Sequence, residues 1–102
     1  MLGSLLLYCD SMYYVYVLIS LKDCKLYVGY TSDINRRLRE HFDGKAISTK
    51  NRRPLKLIYY EFYIEEIEAK RRELYLKGGN GRTQLKVQLS VTLRKFNYRF
   101  RD

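Results

Sequence analysis

The sequence predicts a small α/β domain in which a small three-stranded, mostly antiparallel sheet is flanked by three helices, in the order ββαβαα. Residues 13–19 and 25–30 are β-branched and aromatic runs that flank a short polar turn, which is typical of a hairpin. Residues 34–42 and 85–93 repeat apolar side chains at helical spacing, on either side of a third strand-like run. With 102 residues and 46 % apolar composition, the chain has enough apolar surface for one core.

The first half of the chain contains the hairpin and one helix. Residues 31–33 carry side-chain oxygens that can cap a helix, and the Asp-Gly pair at 43–44 ends it. The apolar stripe of this helix consists of Ile34, Leu38 and Phe42. Residues 45–53 are polar and basic, which indicates a loop.

The second half continues with a third strand and two helices. Pro54 begins the strand, residues 55–63, whose alternation sorts side chains onto two faces. One face is predicted to carry Leu55, Leu57, Tyr59 and Glu61, and the other Lys56, Ile58, Tyr60 and Phe62. A helix over 64–77 has acidic residues first and basic residues later, which suits its dipole. The glycine-rich segment 78–81 ends it, and a last helix over 82–93 follows with a stripe of leucines.

The net charge of +9 is unevenly distributed along the chain. Residues 1–69 hold 10 basic and 9 acidic residues, whereas residues 70–102 hold 10 basic and 2 acidic ones. This asymmetry favours a polyanionic partner, most simply nucleic acid, although a solvated basic helix is the alternative. The candidate nucleic-acid-binding residues are Arg36, Lys70, Arg71, Lys77, Arg82 and Lys86. In the tail, residues 94–102, aromatic residues between arginines would stack on bases, dock on the domain or stay disordered.

Several classes of protein are excluded or disfavoured. There is no run of 18 apolar residues for a membrane span, and the leucines at 5–7 are too few for a signal peptide. Residues 1–11 are interpreted as an extension before a domain at 12–93. Two cysteines, Cys9 and Cys24, and one histidine cannot make a four-ligand zinc site, and they suggest a reducing, cytoplasmic compartment. No obligate protein partner is evident.

Five polar residues stand out by their positions. Tyr16 and Tyr27 share one face of the hairpin if its loop has an even number of residues. Arg37 and His41 are four residues apart and share a helix face. Glu73 is the only acidic residue in 70–101 and would suit a metal ion beside phosphate. Each also has a simpler interpretation: strand packing for the tyrosines, a surface charge for Arg37, solvation or ordinary hydrogen bonding for His41, and pairing with Lys70 or Lys77 for the glutamate.

Together with their neighbours, these residues form a pattern that resembles the GIY-YIG nuclease superfamily. More narrowly, it is similar to the short, single-domain bacterial members described as excinuclease-C-like. The resemblance covers residues 13–93 and rests on Tyr14-Val-Tyr16, Tyr27-Val-Gly-Tyr-Thr-Ser-Asp33, Arg36-Arg37-Leu-Arg-Glu-His41, Pro54-Leu-Lys-Leu-Ile-Tyr-Tyr-Glu61 and Ala69-Lys-Arg-Arg-Glu73.

The resemblance implies a role for each of the five residues. Tyr16 and Tyr27 would be the two motif tyrosines beside the attacking water, one of them acting as general base. Arg37 would stabilise charge on the phosphoryl oxygens, and His41 would shuttle a proton or contact phosphate. Glu73 would hold a single Mg²⁺ or Mn²⁺ ion.

Two departures from the family pattern bear on this assignment. The first triplet is Tyr-Val-Tyr instead of Gly-Ile-Tyr, although Tyr16 is present. Tyr30 occupies a position where some relatives carry a lysine thought to help deprotonate a tyrosine.

The function expected from the resemblance is metal-dependent endonuclease activity on DNA, selective for structure more than sequence, in repair or recombination, with RNA as an open possibility. A non-catalytic nucleic-acid-binding module on the same fold is the main alternative. A small ribosome-associated RNA binder, suggested only by charge and size, is the third.

Overall fold

A computed structural model describes residues 12–99. The proposed extension, residues 1–11, and the final residues 100–102 of the tail lie outside the described residues. The elements are β1 (Tyr13–Ser20), β2 (Leu26–Thr31), α1 (Ile34–Phe42), a 3₁₀ turn (Lys50–Arg52), β3 (Leu55–Tyr63), α2 (Glu66–Lys77), α3 (Gly79–Gln88) and α4 (Ser90–Lys95). The predicted α/β class is confirmed. The last predicted helix is divided into α3 and α4 because the backbone of Leu89, with φ −104° and ψ 22°, leaves the helical range.

The three strands form one antiparallel sheet in the order β2-β1-β3, so β1 is central and β2 lies at an edge. The register pairs Tyr16 with Gly29 and Leu18 with Tyr27. Since Tyr16 and Leu18 point to the same side of β1, Tyr16 and Tyr27 share a face, as the hairpin parity predicts.

The predicted faces of β3 are wrong beyond its first residues. Val17 pairs with Tyr59 and Leu18 pairs with Leu57, which leaves Ile58 as the extra residue of a bulge. The bulge reverses the alternation, so Tyr59 packs on the opposite face from Leu57. A strict period of two cannot anticipate this change.

One face of the sheet carries the main apolar core. Val15, Val17 and Ile19 of β1 meet buried side chains of all three C-terminal helices, namely Ala69, Leu76, Leu85 and Leu93. Phe96 and Tyr98 of the predicted tail also pack against this core. At its rim the Arg72 guanidinium pairs with the Glu61 carboxylate at 3.0 Å.

The corner between α2 and α3 depends on one glycine. α2 ends at Lys77, as the sequence predicts, but Gly79 and Gly81 belong to the next helix instead of separating the two. A Cβ on Gly81 would collide with the backbone of Tyr75 and Leu76. A residue without a side chain therefore lets α3 pack directly on the end of α2.

The other face of the sheet is covered by α1. Asp33 caps this helix by accepting a hydrogen bond from the Arg36 backbone N–H at 3.1 Å, and Ile34 and Leu38 pack on the sheet. Phe42, predicted to complete the stripe, is instead 44 % exposed. The buried residue of α1 is His41, so this helix brings an imidazole into the interior. Among the helices within residues 12–99, none is long and apolar enough to cross a membrane.

Candidate active site

Tyr16 occupies the centre of the face that α1 covers. Its side chain is fully buried, and its ring lies over Gly29 on the neighbouring edge strand. A Cβ at Gly29 would collide with the phenol ring and hydroxyl of Tyr16. The glycine therefore provides the space in which the Tyr16 hydroxyl reaches across β2.

A buried histidine connects Tyr16 to the loop that follows α1. The Tyr16 hydroxyl and His41 Nε2 are 2.7 Å apart, and His41 Nδ1 and Thr49 Oγ1 are 2.6 Å apart. All three side chains have no exposed surface. Both imidazole nitrogens thus have a partner, which a buried histidine requires.

The electrostatics of this hydrogen-bonded chain keep its members neutral. Burial, assisted by the nearby positive charge of Arg37, lowers the pKa of His41 to about 4. Burial and the neighbouring Tyr27 raise the pKa of Tyr16 above its ordinary value, although Arg37 opposes this. Near neutral pH the imidazole therefore has one nitrogen that donates and one that accepts.

Tyr27 stands beside the pair and is partly exposed. Its ring centroid is 6.3 Å from that of Tyr16 and 5.2 Å from that of His41. Its hydroxyl accepts a hydrogen bond from Ser48 Oγ at 3.3 Å. The loop after α1 therefore contacts both motif tyrosines, one directly and one through the histidine.

Arg37 lies close enough to Tyr16 and His41 to lower the pKa of both, and it is held by a carboxylate. One of its terminal nitrogens donates to Glu40 Oε1 at 2.9 Å, while Arg36 donates to the other oxygen of Glu40 at the same distance. The bond to Glu40 raises the pKa of Arg37. A guanidinium has five N–H donors, so Arg37 keeps donors for a phosphate while Glu40 fixes its position.

Glu73 lies apart from these four residues. It belongs to α2, which packs on the apolar face of the sheet and against β2, and its carboxylate pairs with Lys77 at 2.9 Å. Within residues 12–99, no hydrogen bond or ion pair joins Glu73 to the two tyrosines, Arg37 or His41. Its charge does contribute to raising the pKa of Tyr30, which places the carboxylate near β2.

A metal ion at Glu73 would have few protein ligands. No group of three or more His, Cys, Asp or Glu side chains gathers for a metal within the described part of the chain. Mg²⁺ usually keeps several waters and binds through one or two carboxylates together with substrate phosphates. A single partly exposed carboxylate such as Glu73 is chemically suited to that mode of binding.

Tyr30, which stands where some relatives carry lysine, lies on the opposite face from Tyr16. It pairs with Val15, stacks on Tyr13, and donates a hydrogen bond to Glu66 at 2.6 Å. Burial and this hydrogen bond raise its pKa. Tyr30 therefore takes no part in the hydrogen bonds of the buried chain.

The six predicted nucleic-acid-binding residues are not equally available. Arg36, Lys70 and Lys77 pair with carboxylates of their own helices. Arg82 donates to the Leu76 carbonyl at 3.1 Å, and burial lowers its pKa. Arg71 is exposed and Lys86 is partly so.

Three residues of the site escaped sequence reasoning, namely Glu40, Ser48 and Thr49. The single histidine was a signal for a hydroxyl partner such as Thr49, since a buried imidazole requires a hydrogen-bond partner on each nitrogen. The hydroxyls at 48 and 49, in an otherwise basic loop, were the nearest unassigned candidates.

Known proteins share this chain's pattern over most of its length. The GIY-YIG catalytic domain matches residues 12–86. A UPF0213 protein of Clostridium perfringens is 38 % identical over 85 % of this chain and 94 % of its own length. One from Staphylococcus haemolyticus is 40 % identical over 76 % of this chain and 94 % of its own length. The solution NMR structure of a UPF0213 protein from Bacillus halodurans has 34 % identity and a TM-score of 0.48, and covers 76 % of this chain and 84 % of that one. The chain belongs to the GIY-YIG catalytic domain family.

Proposed function

We propose that this protein is an endonuclease that hydrolyses phosphodiester bonds in DNA with one Mg²⁺ or Mn²⁺ ion. The observation that carries the proposal is the buried Tyr16–His41–Thr49 chain with Arg37 beside it. Buried polar groups are costly, and a core that needed only packing would have used apolar side chains here. Membership of the GIY-YIG family supports the same chemistry.

The burial of the residues suggests a division of roles. Tyr27 and Arg37 are partly exposed and would meet the phosphate and the attacking water. Tyr16 and His41 are fully buried and would hold or move the proton that the water loses. Arg37 would stabilise negative charge developing on the phosphoryl oxygens, with Glu40 keeping its guanidinium in place.

The neutral state of His41 suits this role. If Nδ1–H donates to Thr49, Nε2 is left as the acceptor for the Tyr16 proton. The raised pKa of Tyr16 and the lowered pKa of His41 disfavour a resting tyrosinate–imidazolium pair, so the imidazole at 2.7 Å would take the Tyr16 proton only while Tyr16 takes one from the attacking water. A protonated imidazole has no free acceptor nitrogen, so the low pKa of His41 keeps the path open at neutral pH.

Glu73 would hold the metal ion, exchanging its pair with Lys77 for it. When bound, such an ion would polarise the phosphate and neutralise the leaving oxygen. Contacts to phosphates position a protein without reading sequence, so we propose that the enzyme selects its DNA by structure. The role that we propose is in DNA repair or recombination, in the cytoplasm.

The test is a nicking and cleavage assay with Mg²⁺ or Mn²⁺ on duplex, branched and single-stranded DNA, with RNA as a further substrate. Arg37→Ala and Glu73→Ala should each lower the rate by about 100-fold or more. The matched controls are Arg39→Ala, exposed on α1, and Glu68→Ala, exposed on α2. Wild-type rates in Arg37→Ala or Glu73→Ala would contradict the assigned roles.

A second candidate is a nucleic-acid-binding module without turnover. One observation favours it: the only carboxylate expected to bind metal is already paired with Lys77. This candidate predicts salt-sensitive DNA binding and no cleavage with any divalent metal.

A further inference from the structure

The loop that supplies Thr49 also forms one wall of an open, basic cleft. The cleft has a volume of about 710 Å³, and its lining includes Lys22, Lys50, Arg53, Lys56 and the half-exposed ring of Phe42. Among residues 12–99, no acidic side chain lines it. Between Asp43 and Glu61 the sequence has five basic residues and no acidic one, so the positive charge of this wall follows from local composition.

The four cations of the cleft carry uncompensated charge. Within residues 12–99, none of them forms an ion pair with a carboxylate. Lys22 Nζ donates to the Asn51 carbonyl at 3.0 Å, and Arg53 Nε donates to the Lys50 carbonyl at 3.3 Å. These bonds to neutral carbonyl oxygens position the two side chains without neutralising them.

Most basic residues of α1 and α2 differ in this respect, although Arg39 and Arg71 form no ion pair within residues 12–99. Arg36, Lys70 and Lys77, three of the six residues predicted to bind nucleic acid, each lie within 4 Å of a carboxylate on their own helix or its cap. A phosphate binding there would compete with an existing partner. In the cleft it would meet free charges, so the cleft is the better polyanion site although the C-terminal third has more net charge.

The cleft also adjoins the candidate active site along the chain. Phe42 follows His41, and Lys50 follows Thr49, so each wall of the cleft begins one residue from a buried member of the hydrogen-bonded chain. Consecutive Cα atoms are about 3.8 Å apart. A strand lying in the cleft would therefore pass close to the two backbone segments that carry His41 and Thr49.

We propose that the cleft formed by Lys22, Lys50, Arg53 and Lys56 binds the sugar-phosphate backbone of the DNA strand beside the bond to be cut. This inference rests on the proposed nuclease function for its choice of partner. It moves the main backbone contact from α2 and α3, where the sequence predicts it, to the cleft between the loop after α1, the β1–β2 turn and the start of β3.

The experiment compares two triple variants of equal net charge. One removes cleft charges, Lys22→Gln/Lys50→Gln/Lys56→Gln, and the other removes helix charges, Lys70→Gln/Arg71→Gln/Lys86→Gln. DNA binding is measured by fluorescence anisotropy in EDTA over a series of salt concentrations, so that cleavage plays no part. Thermal unfolding measurements establish whether both triple variants are folded. If the cleft variant is not folded, the single variants Lys50→Gln and Lys56→Gln replace it.

The cleft variant should bind at least tenfold more weakly at low salt. The slope of log K against log salt concentration should be smaller in magnitude by about 2 to 3, since each lost phosphate contact removes about 0.9 from the slope. The helix variant should lose less. Equal or greater loss in the helix variant, wild-type binding by the cleft variant, or no DNA binding by the wild-type protein would overturn the proposal.

A parallel cleavage assay with Mg²⁺ separates this proposal from the nuclease function. Binding that depends on the cleft without any cleavage would support the cleft and contradict the nuclease function. Cleavage by the wild-type protein, together with an unchanged salt slope in the cleft variant, would support the nuclease function and contradict the cleft.

Discussion

The two faces of β1 are equally buried but are stabilised in different ways. Val15, Val17 and Ile19 have no exposed surface and meet aliphatic side chains of the C-terminal helices. Tyr16, between them on the other face, is also fully buried, but its neighbours include an imidazole and a hydroxyl. Apolar burial stabilises without direction, whereas a buried polar chain stabilises only while every member is satisfied. The comparison teaches that the candidate chemistry lies on the face whose stability depends on each hydrogen-bond partner being present.

The largest effect is expected from removing the Tyr16 hydroxyl. Tyr16→Phe keeps the ring over Gly29 but removes the proton-handling group, so the cleavage rate should fall by about 10²- to 10⁴-fold. Single-turnover cleavage at saturating DNA measures this, at a temperature where circular dichroism shows the variant folded. A fall of less than tenfold would remove Tyr16 from the proposed mechanism.

The apolar face should show the opposite response. Leu76→Ala removes a fully buried side chain of α2 and should lower the free energy of unfolding by about 2–5 kcal/mol, because the site cannot fully collapse around the cavity. Denaturant unfolding measures the loss. At a temperature where the variant is folded, its cleavage rate should stay near that of the wild type; a 100-fold loss would show that the two faces are coupled.

The low pKa of His41 makes stability depend on pH. The unfolded histidine takes up a proton near pH 6.5, whereas the folded one does so only near pH 4. Between these values the unfolded state binds more protons, so the free energy of unfolding should fall as pH falls, by up to about 3 kcal/mol. Carboxylates titrate in the same range, so the comparison is with His41→Gln. An identical pH dependence in that variant would show that His41 is not the cause.

The sequence predicts the apolar face better than the site. Apolar periodicity located the strands and helices, and hairpin parity placed Tyr16 and Tyr27 on one face. These features depend on neighbours in the chain, which the sequence displays directly. The Ile58 bulge escaped because an extra residue in one strand is defined only by its partner strand.

The site contains contacts between residues that local patterns do not relate. Thr49 belongs to a loop with no periodicity, and only the fold brings it to 2.6 Å from His41. Phe42 fits an apolar stripe, but His41 takes the buried position at this end of α1 and Phe42 is exposed. The net charge of residues 1–69 does not reveal the basic cleft, because acidic residues elsewhere in this range cancel its positive charge.

Thr49 provides a smaller test of the polar face. Thr49→Val has nearly the same shape but leaves a buried imidazole nitrogen without a partner, which should cost about 1–3 kcal/mol of stability and change the tautomer of His41. Thr49→Ser keeps the hydroxyl, so it should retain most of the stability and the wild-type tautomer of His41. Because the chain has one histidine, ¹⁵N NMR of the ring reports the tautomer without assignment of other signals. Equal spectra for wild type and Thr49→Val would show that Thr49 does not orient the imidazole.

The smallest effect is expected from deleting the same atom on the other face. Tyr30→Phe removes a hydroxyl that donates to Glu66 near the surface, so it should cost about 0.5–1.5 kcal/mol of stability. Because the Tyr30 hydroxyl makes no hydrogen bond with the buried chain, its loss should change the cleavage rate far less than Tyr16→Phe does. The two variants differ from wild type by one oxygen each, and they alter opposite faces of the sheet. A loss of activity in Tyr30→Phe as large as in Tyr16→Phe would contradict this and would add the Tyr30 hydroxyl to the proposed mechanism.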